Sequence, residues 1–92
     1  MEIEGASALV TGGNRGIGEA FVRALLAAGA ARVYVGTRVA ANADDLVAEL
    51  GERAVAVELD VTRHDQVTAA ARRCSQVSIL VNNAGVFTGQ TL

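Results

Sequence analysis

The residues best placed to do chemistry in this chain are Thr11 to Gly18, TGGNRGIG, which set four glycines among eight residues between the apolar run SALV and the amphipathic stretch EAFVRALLAAG. A glycine-rich turn between a strand and a helix aims backbone N–H groups at an anion, and the helix dipole adds partial positive charge. Glycine reaches positive φ and lets a phosphate approach with no Cβ in the way. A P-loop requires Lys-Ser or Lys-Thr after its last glycine, but Gly18 is followed by Glu19 and Ala20. The common dinucleotide fingerprint G-x-G-x-x-G fails as well, because Phe21 stands where its third glycine belongs. What remains is T-G-x-x-x-G-x-G on Gly12, Gly16 and Gly18.

Other reactive side chains are less promising. Tyr34-x-x-x-Arg38 has the spacing of a tyrosine–cation pair, but four steps along a strand separate its members by about 13 Å. Tyr34, between Val33 and Val35, is expected in the core. His64 falls in a first helical turn and is expected to be solvated, and Cys74 ends an alanine-rich helix where burial is expected. Asp44 and Asp45 suit a helix N-terminus. No pattern of metal ligands is present.

The elements that must position these residues alternate. Ser7–Val10 reads as a buried strand. Gly16–Ala28 carries Ile17, Phe21, Leu25 and Ala28 at helical spacing, with Gly29 as its stop. Strands are predicted over Arg32–Gly36, Ala54–Leu59 and Val77–Val81. A helix over Ala43–Leu50 has Leu46, Val47 and Leu50 on one face and ends at Gly51. Thr62 and Asp65 form a Thr-x-x-Asp capping pattern that opens a helix through Arg73. The result is βαβαβαβ with strands too apolar to have a wet face, which favours a parallel sheet covered by helices.

Composition excludes several classes of function. Apolar residues make up 51 % of the 92, as expected of one small globular domain. The net charge is −2 and the eight cationic residues, all arginine, are spread along the chain, so no nucleic-acid face is expected. One cysteine excludes an internal disulfide and fits a reducing compartment. The start, MEIEGASA, lacks the plan of a signal peptide, and no apolar run approaches the roughly 20 residues of a membrane span. A soluble, cytoplasmic protein that does not bind membranes is the expectation. The chain has no lysine and no proline.

Taken together, Thr11-Gly12-x-x-x-Gly16-Ile17-Gly18, Asp60-Val61 after the third strand and Asn82-Asn83-Ala84-Gly85 after the fourth resemble the short-chain dehydrogenase/reductase family over all 92 residues. The match is to the first part of a family member only. The resemblance implies a Rossmann-like, doubly wound α/β sheet, with the first four strands in the order 3-2-1-4 and the catalytic half missing. In that order the loops after strands 1 and 4 line the crevice at the topological switch point, and the ends of strands 2 and 3 lie at the adenosine end. By resemblance the backbone from Gly12 through Asn14, Arg15, Gly16, Ile17 and Gly18 would follow the ribose-phosphates. Asp60 would bond the adenine amino group and Val61 would pack along the ring. Asn82, Asn83, Ala84 and Gly85 would lie under the adenosine ribose.

An acidic residue usually ends the second strand of NAD-binding relatives, to hold both ribose hydroxyls. Here Thr37 takes that position, with Arg38 beside it and Arg15 in the glycine loop. A guanidinium forks onto a 2′-phosphate that a carboxylate would repel. One charge-assisted hydrogen bond contributes roughly 1.5–3 kcal/mol, a tenfold to hundredfold preference. NADP(H) is therefore expected over NAD(H).

The family protonates the developing alkoxide with a serine and a Tyr-x-x-x-Lys pair, and without lysine that pair cannot exist here. The leading expectation is the cofactor-binding front portion of an NADP-dependent oxidoreductase acting on a small alcohol/carbonyl substrate, inactive by itself. The alternatives are a free-standing nucleotide-binding module and an inactive fragment. In the family, strand 4 is central. Here VSILV would be an unprotected apolar edge, so self-association through it is expected.

Overall fold

A computed structural model describes residues 2–14 and 16–83. The elements are β1 (Ser7–Thr11), α1 (Gly16–Ala27), β2 (Arg32–Thr37), a 3-10 turn (Ala40–Ala43), α2 (Asp44–Leu50), β3 (Ala54–Glu58), α3 (His64–Arg73) and β4 (Ile79–Asn82). The four strands are parallel and ordered β3-β2-β1-β4, as expected. Ser7 is in register with Arg32 and Thr11 with Gly36 on one side of β1. Ala8 is in register with Ile79 and Thr11 with Asn82 on the other.

Alternation along the strands divides the core into two layers. On one face Ala8, Val10, Val33, Val35 and Ile79 pack with Val22, Leu25 and Leu26 of α1 and Leu46 of α2. On the other, Leu9 and Val57 pack with Leu59 and with Ala70 and Cys74 at the α3 end. α1 stops at Gly29, whose φ of 98° is in the left-handed region. Ala30 N–H donates to the Leu25 carbonyl and Gly29 N–H to that of Leu26, which satisfies the last carbonyls in a Schellman arrangement.

Four expectations need correction. The buried face of α1 is Gly18, Val22, Leu25 and Leu26, not Ile17, Phe21, Leu25 and Ala28; Ile17 is 70 % and Phe21 44 % exposed. The helix is turned so that Gly18 meets the glycine loop. Thr62 does not cap α3: the N-cap residue is Arg63, without a side-chain cap bond, and the Thr62 hydroxyl donates to Asp60 instead. Tyr34 is half-buried rather than core, because it lies toward the less covered end of the α3 face. β4 begins at Ile79; Val77 N–H donates to the Cys74 carbonyl and closes a turn before the strand starts. No helix among the described residues is long and apolar enough to cross a membrane.

Candidate functional site

The glycines of the loop after β1 have different tasks. Gly12 and Gly16 adopt φ of 64° and 62°, which an L side chain resists. Gly13 and Gly18 are glycine for lack of space. A Cβ on Gly13 would lie 3.0 Å from Val22 Cγ2 and 3.1 Å from the Val10 carbonyl oxygen, while its N–H donates to the Gly36 carbonyl at 3.1 Å. A Cβ on Gly18 would run into the Gly12 carbonyl oxygen and lie 2.8 Å from Asn83 Nδ2. The loop is thereby pressed onto the start of α1. Over Gly16 the space is open among the described residues, none of which comes within 4 Å of an added Cβ. Free N–H groups of a helix's first turn carry partial positive charge. Glu19, the acid in this turn, accepts a 2.9 Å bond from Arg23 Nε.

The loop is tied to β4 across the switch point. Asn83 N–H donates to Thr11 Oγ1 at 2.8 Å, and Asn83 Nδ2 donates to the Gly12 carbonyl at 3.3 Å. The Thr11 hydroxyl in turn lies 3.3 Å from both the Val81 carbonyl and Asn82 Oδ1, either of which accepts its proton. Thr11 is only 4 % exposed, so these bonds act where water does not compete. Asn82 is exposed and Asn14 half-buried.

At the ends of β2 and β3, Thr37 is buried and its hydroxyl donates to the Val39 carbonyl at 3.4 Å. Arg38 is exposed, as is Val61. Asp60 Oδ1 accepts from Thr62 Oγ1 at 2.6 Å and from Thr62 N–H at 3.0 Å, and its own N–H donates to Gln66 Oε1 at 2.7 Å. The Thr62 hydroxyl and amide hold the Asp60 carboxyl below the usual carboxylate range, assisted by the charges of Arg38 and Arg63. Oδ1 is thus committed to the loop, while no protein bond among the described residues engages Oδ2.

The structure therefore brings Gly12, Gly18 and Asn83 together, with Gly16 and Ile17 opening α1 beside Gly18, and places Thr37, Arg38, Asp60 and Val61 at or just after the ends of β2 and β3. Arg15, Ala84 and Gly85 lie outside the described residues. Sequence reasoning missed Gly13 and Gly36 as packing glycines, the bracing role of the Thr11 hydroxyl, and Gln66. The glycine that interrupts the β-rich RVYVGT was a usable signal for Gly36. His64 is exposed at the start of α3. Cys74 is buried, and burial pushes its thiol pKa up. Among the described residues no group of three or more His, Cys, Asp or Glu could hold a metal ion.

A family model described as short chain dehydrogenase matches residues 6–92. Nodulation protein G of Rhizobium sp. (strain N33) is 43 % identical over 90 residues, covering 94 % of this chain and 36 % of that protein. The crystal structure of a short chain dehydrogenase from Burkholderia cenocepacia J2315 in complex with NADP aligns with a TM-score of 0.86 at 42 % identity, covering 98 % of this chain and 36 % of that one. That of 3-ketoacyl-(acyl-carrier-protein) reductase from Brucella melitensis complexed with NADH aligns with a TM-score of 0.70 at 33 % identity, over 85 % of this chain and 34 % of that one. The chain spans about a third of the length of these proteins.

Proposed function

The chain belongs to the short-chain dehydrogenase family, and from that premise we propose that it forms the dinucleotide-holding part of an oxidoreductase that prefers NADP(H) to NAD(H). The observation that carries this reading is the loop itself. Gly12 and Gly16 turn it through the left-handed region, Gly18 lets it seat on α1, and no described residue fills the space over Gly16. This is a cradle that a phosphate can approach and that a side chain would fill. When bound, the nicotinamide supplies a hydride donor or acceptor. The residues here hold and orient it.

In this reading the backbone of Gly12 to Gly18 follows the ribose-phosphates. Asp60, whose Oδ2 bonds no described residue, takes the adenine amino group, and Val61 packs along the ring. Asn82 and Asn83, with Ala84 and Gly85, lie under the adenosine ribose. Arg38, together with Arg15, selects the 2′-phosphate. What supports the preference is the end of β2, where the residue in the acid's usual place is Thr37, its hydroxyl turned to its own backbone, and the next residue is an exposed guanidinium. The relatives bound to NADP and to NADH leave the choice to these residues. The whole protein transfers hydride between the nicotinamide and an alcohol/carbonyl substrate; residues 1–92, without a lysine, are inactive alone.

Calorimetric titration of the 92-residue chain with NADPH and with NADH tests this. The expected result is saturable NADPH binding that weakens about tenfold or more in Arg38→Asp, with NADH binding unchanged or strengthened. Equal affinities, indifferent to Arg38→Asp, overturn the NADP preference. No binding by a chain shown to be folded overturns the cradle as sufficient in itself.

A further inference from the structure

A polar cleft of about 440 Å³ lies at the opposite end of the sheet from the glycine loop, on the α3 side. Its polar lining is Ser7 from β1, Arg32 and Tyr34 from β2, Arg73 from the last turn of α3, and Ser75 and Gln76 from the turn that follows. β2 runs five residue steps from Arg32 to Thr37, so roughly 16 Å separates this cleft from the candidate dinucleotide site. The two cannot be one site.

Three observations point to an anion. Among the described residues that line it, the cleft has two guanidinium groups and no carboxylate, in a chain whose net charge is −2. Among the described residues neither Arg32 nor Arg73 has an ion-pair partner, whereas Arg23 and Arg63 do. Nor do the side chains of Ser7, Tyr34, Ser75 and Gln76 make a hydrogen bond to any described residue, so their donors are available. The end of α3 opposes an anion, because its carbonyls carry about half a negative charge. That end is partly neutralised: Cys74 N–H donates to the Ala70 carbonyl at 2.8 Å, and Arg72 and Arg73 stand in the last turn. Two full positive charges outweigh what is left.

Guanidinium groups supplied by a strand and by a helix end match a group with several charged oxygens better than a single carboxylate, since each can fork onto a separate pair of oxygens. The cleft is also larger than a bare phosphate requires. We infer that it is a second binding site, for the phosphate of a small phosphomonoester. Arg32 and Arg73 hold the phosphate, and Tyr34, Ser75 and Gln76 bond its remaining oxygens or the attached hydroxyls. This site owes nothing to the dinucleotide reading and stands or falls separately.

The test is ¹⁵N NMR of the 92-residue chain at constant ionic strength, titrated with inorganic phosphate and, in parallel, glycerol 3-phosphate. Saturable shifts at the Ser75 and Gln76 amides are expected with both. Arg32→Gln and Arg73→Gln, on different elements and each checked for an intact spectrum, should weaken binding about tenfold. Arg72→Gln, outside the lining, should change it less than twofold. Non-saturable shifts, shifts reproduced by chloride, or binding indifferent to Arg32→Gln and Arg73→Gln overturn the site. Binding of inorganic phosphate without glycerol 3-phosphate overturns the phosphomonoester assignment.

Discussion

Replacing Gly18 by alanine is the sharpest test of how the glycine loop is built. Inside a helix the change from glycine to alanine ordinarily stabilises by up to about 1 kcal/mol, through lower chain entropy and better helix propensity. Gly18 is the third residue of α1, so propensity alone predicts a gain. The structure predicts a loss. The new methyl would run into the Gly12 carbonyl oxygen, which belongs to the backbone of a residue at φ 64° and has little room to retreat. It would also lie 2.8 Å from Asn83 Nδ2, displacing the amide that bonds Gly12 at 3.3 Å. Overpacking of this kind costs about 1–3 kcal/mol, and the lost hydrogen bond about 0.5–1.5 kcal/mol. Against the propensity gain, a net destabilisation of about 2 kcal/mol remains. In urea denaturation this lowers the midpoint by on the order of 1 M with an unchanged slope. Gly16→Ala is the control, since space is open there and only the positive φ resists, at about 1–2 kcal/mol. A Gly18→Ala variant as stable as the parent, or more stable, would refute the packing argument.

Asp60 gives a pH dependence of known sign. Its pKa is lowered in the fold, first by the Thr62 hydroxyl, so its contribution is present above the ordinary carboxylate value of about 4 and is lost as pH falls through the folded value. An NMR pH titration should show the Thr62 amide moving at a midpoint below about 4, and Asp60→Asn should abolish that movement; a midpoint at or above the ordinary value contradicts the bonding seen here. Burial raises the pKa of Cys74, so the thiol stays protonated at neutral pH and this preference of the fold is lost as pH rises through the raised value. A thiol reagent at pH 8 should modify the folded chain far more slowly than the urea-unfolded chain, and equal rates would disprove the burial. β4 is an outer strand among the described residues and Leu80 on it is 62 % exposed, so sedimentation should show the 92-residue chain self-associating, and Leu80→Lys should weaken the association. A clean monomer at high concentration would count against an adhesive edge.

The strand–helix alternation was legible because several independent signals agreed, and the strand order followed from the family resemblance that the glycine loop, Asp60-Val61 and Asn82-Asn83 carry. The apolar runs were the length of strands, Gly29 and Gly51 stopped helices, and the glycine loop and Asn82-Asn83 each stood at the end of a strand. The rotation of α1 was not legible, and the reason is physical. Leu25 belongs to both possible faces, and a count of apolar residues favours Ile17 and Phe21 because it scores glycine as nothing. Gly18 decides the matter through the atom it lacks. Thr62 failed as a cap because Asp60, two residues earlier, offers its hydroxyl a charged acceptor at 2.6 Å. That contest cannot be decided without knowing how the chain turns after β3. Tyr34 has the alternation of a core residue, but coverage by α3 ends near it, and coverage is a property of the assembled layers rather than of the strand.

The candidate site is also a statement about cooperativity. Gly12 and Asn83 are 71 positions apart in sequence, and the bond between them exists only when β4 has docked beside β1. β1 is paired on both sides, whereas β4 has four residues and is paired, among the described residues, with β1 alone. The loop that turns through Gly12 and Gly16 is therefore braced from the less secured side of the sheet. When the end of β4 frays, Asn83 withdraws from the Gly12 carbonyl and from the Thr11 hydroxyl together, and the loop loses its brace although β1, β2 and β3 stay paired. Order at the end of β4 therefore supports order in the glycine loop, which the Gly13 N–H also ties to the Gly36 carbonyl of β2. A ligand that selects the ordered loop secures β4, and a strand packed on the outer edge of β4 preorganises the loop.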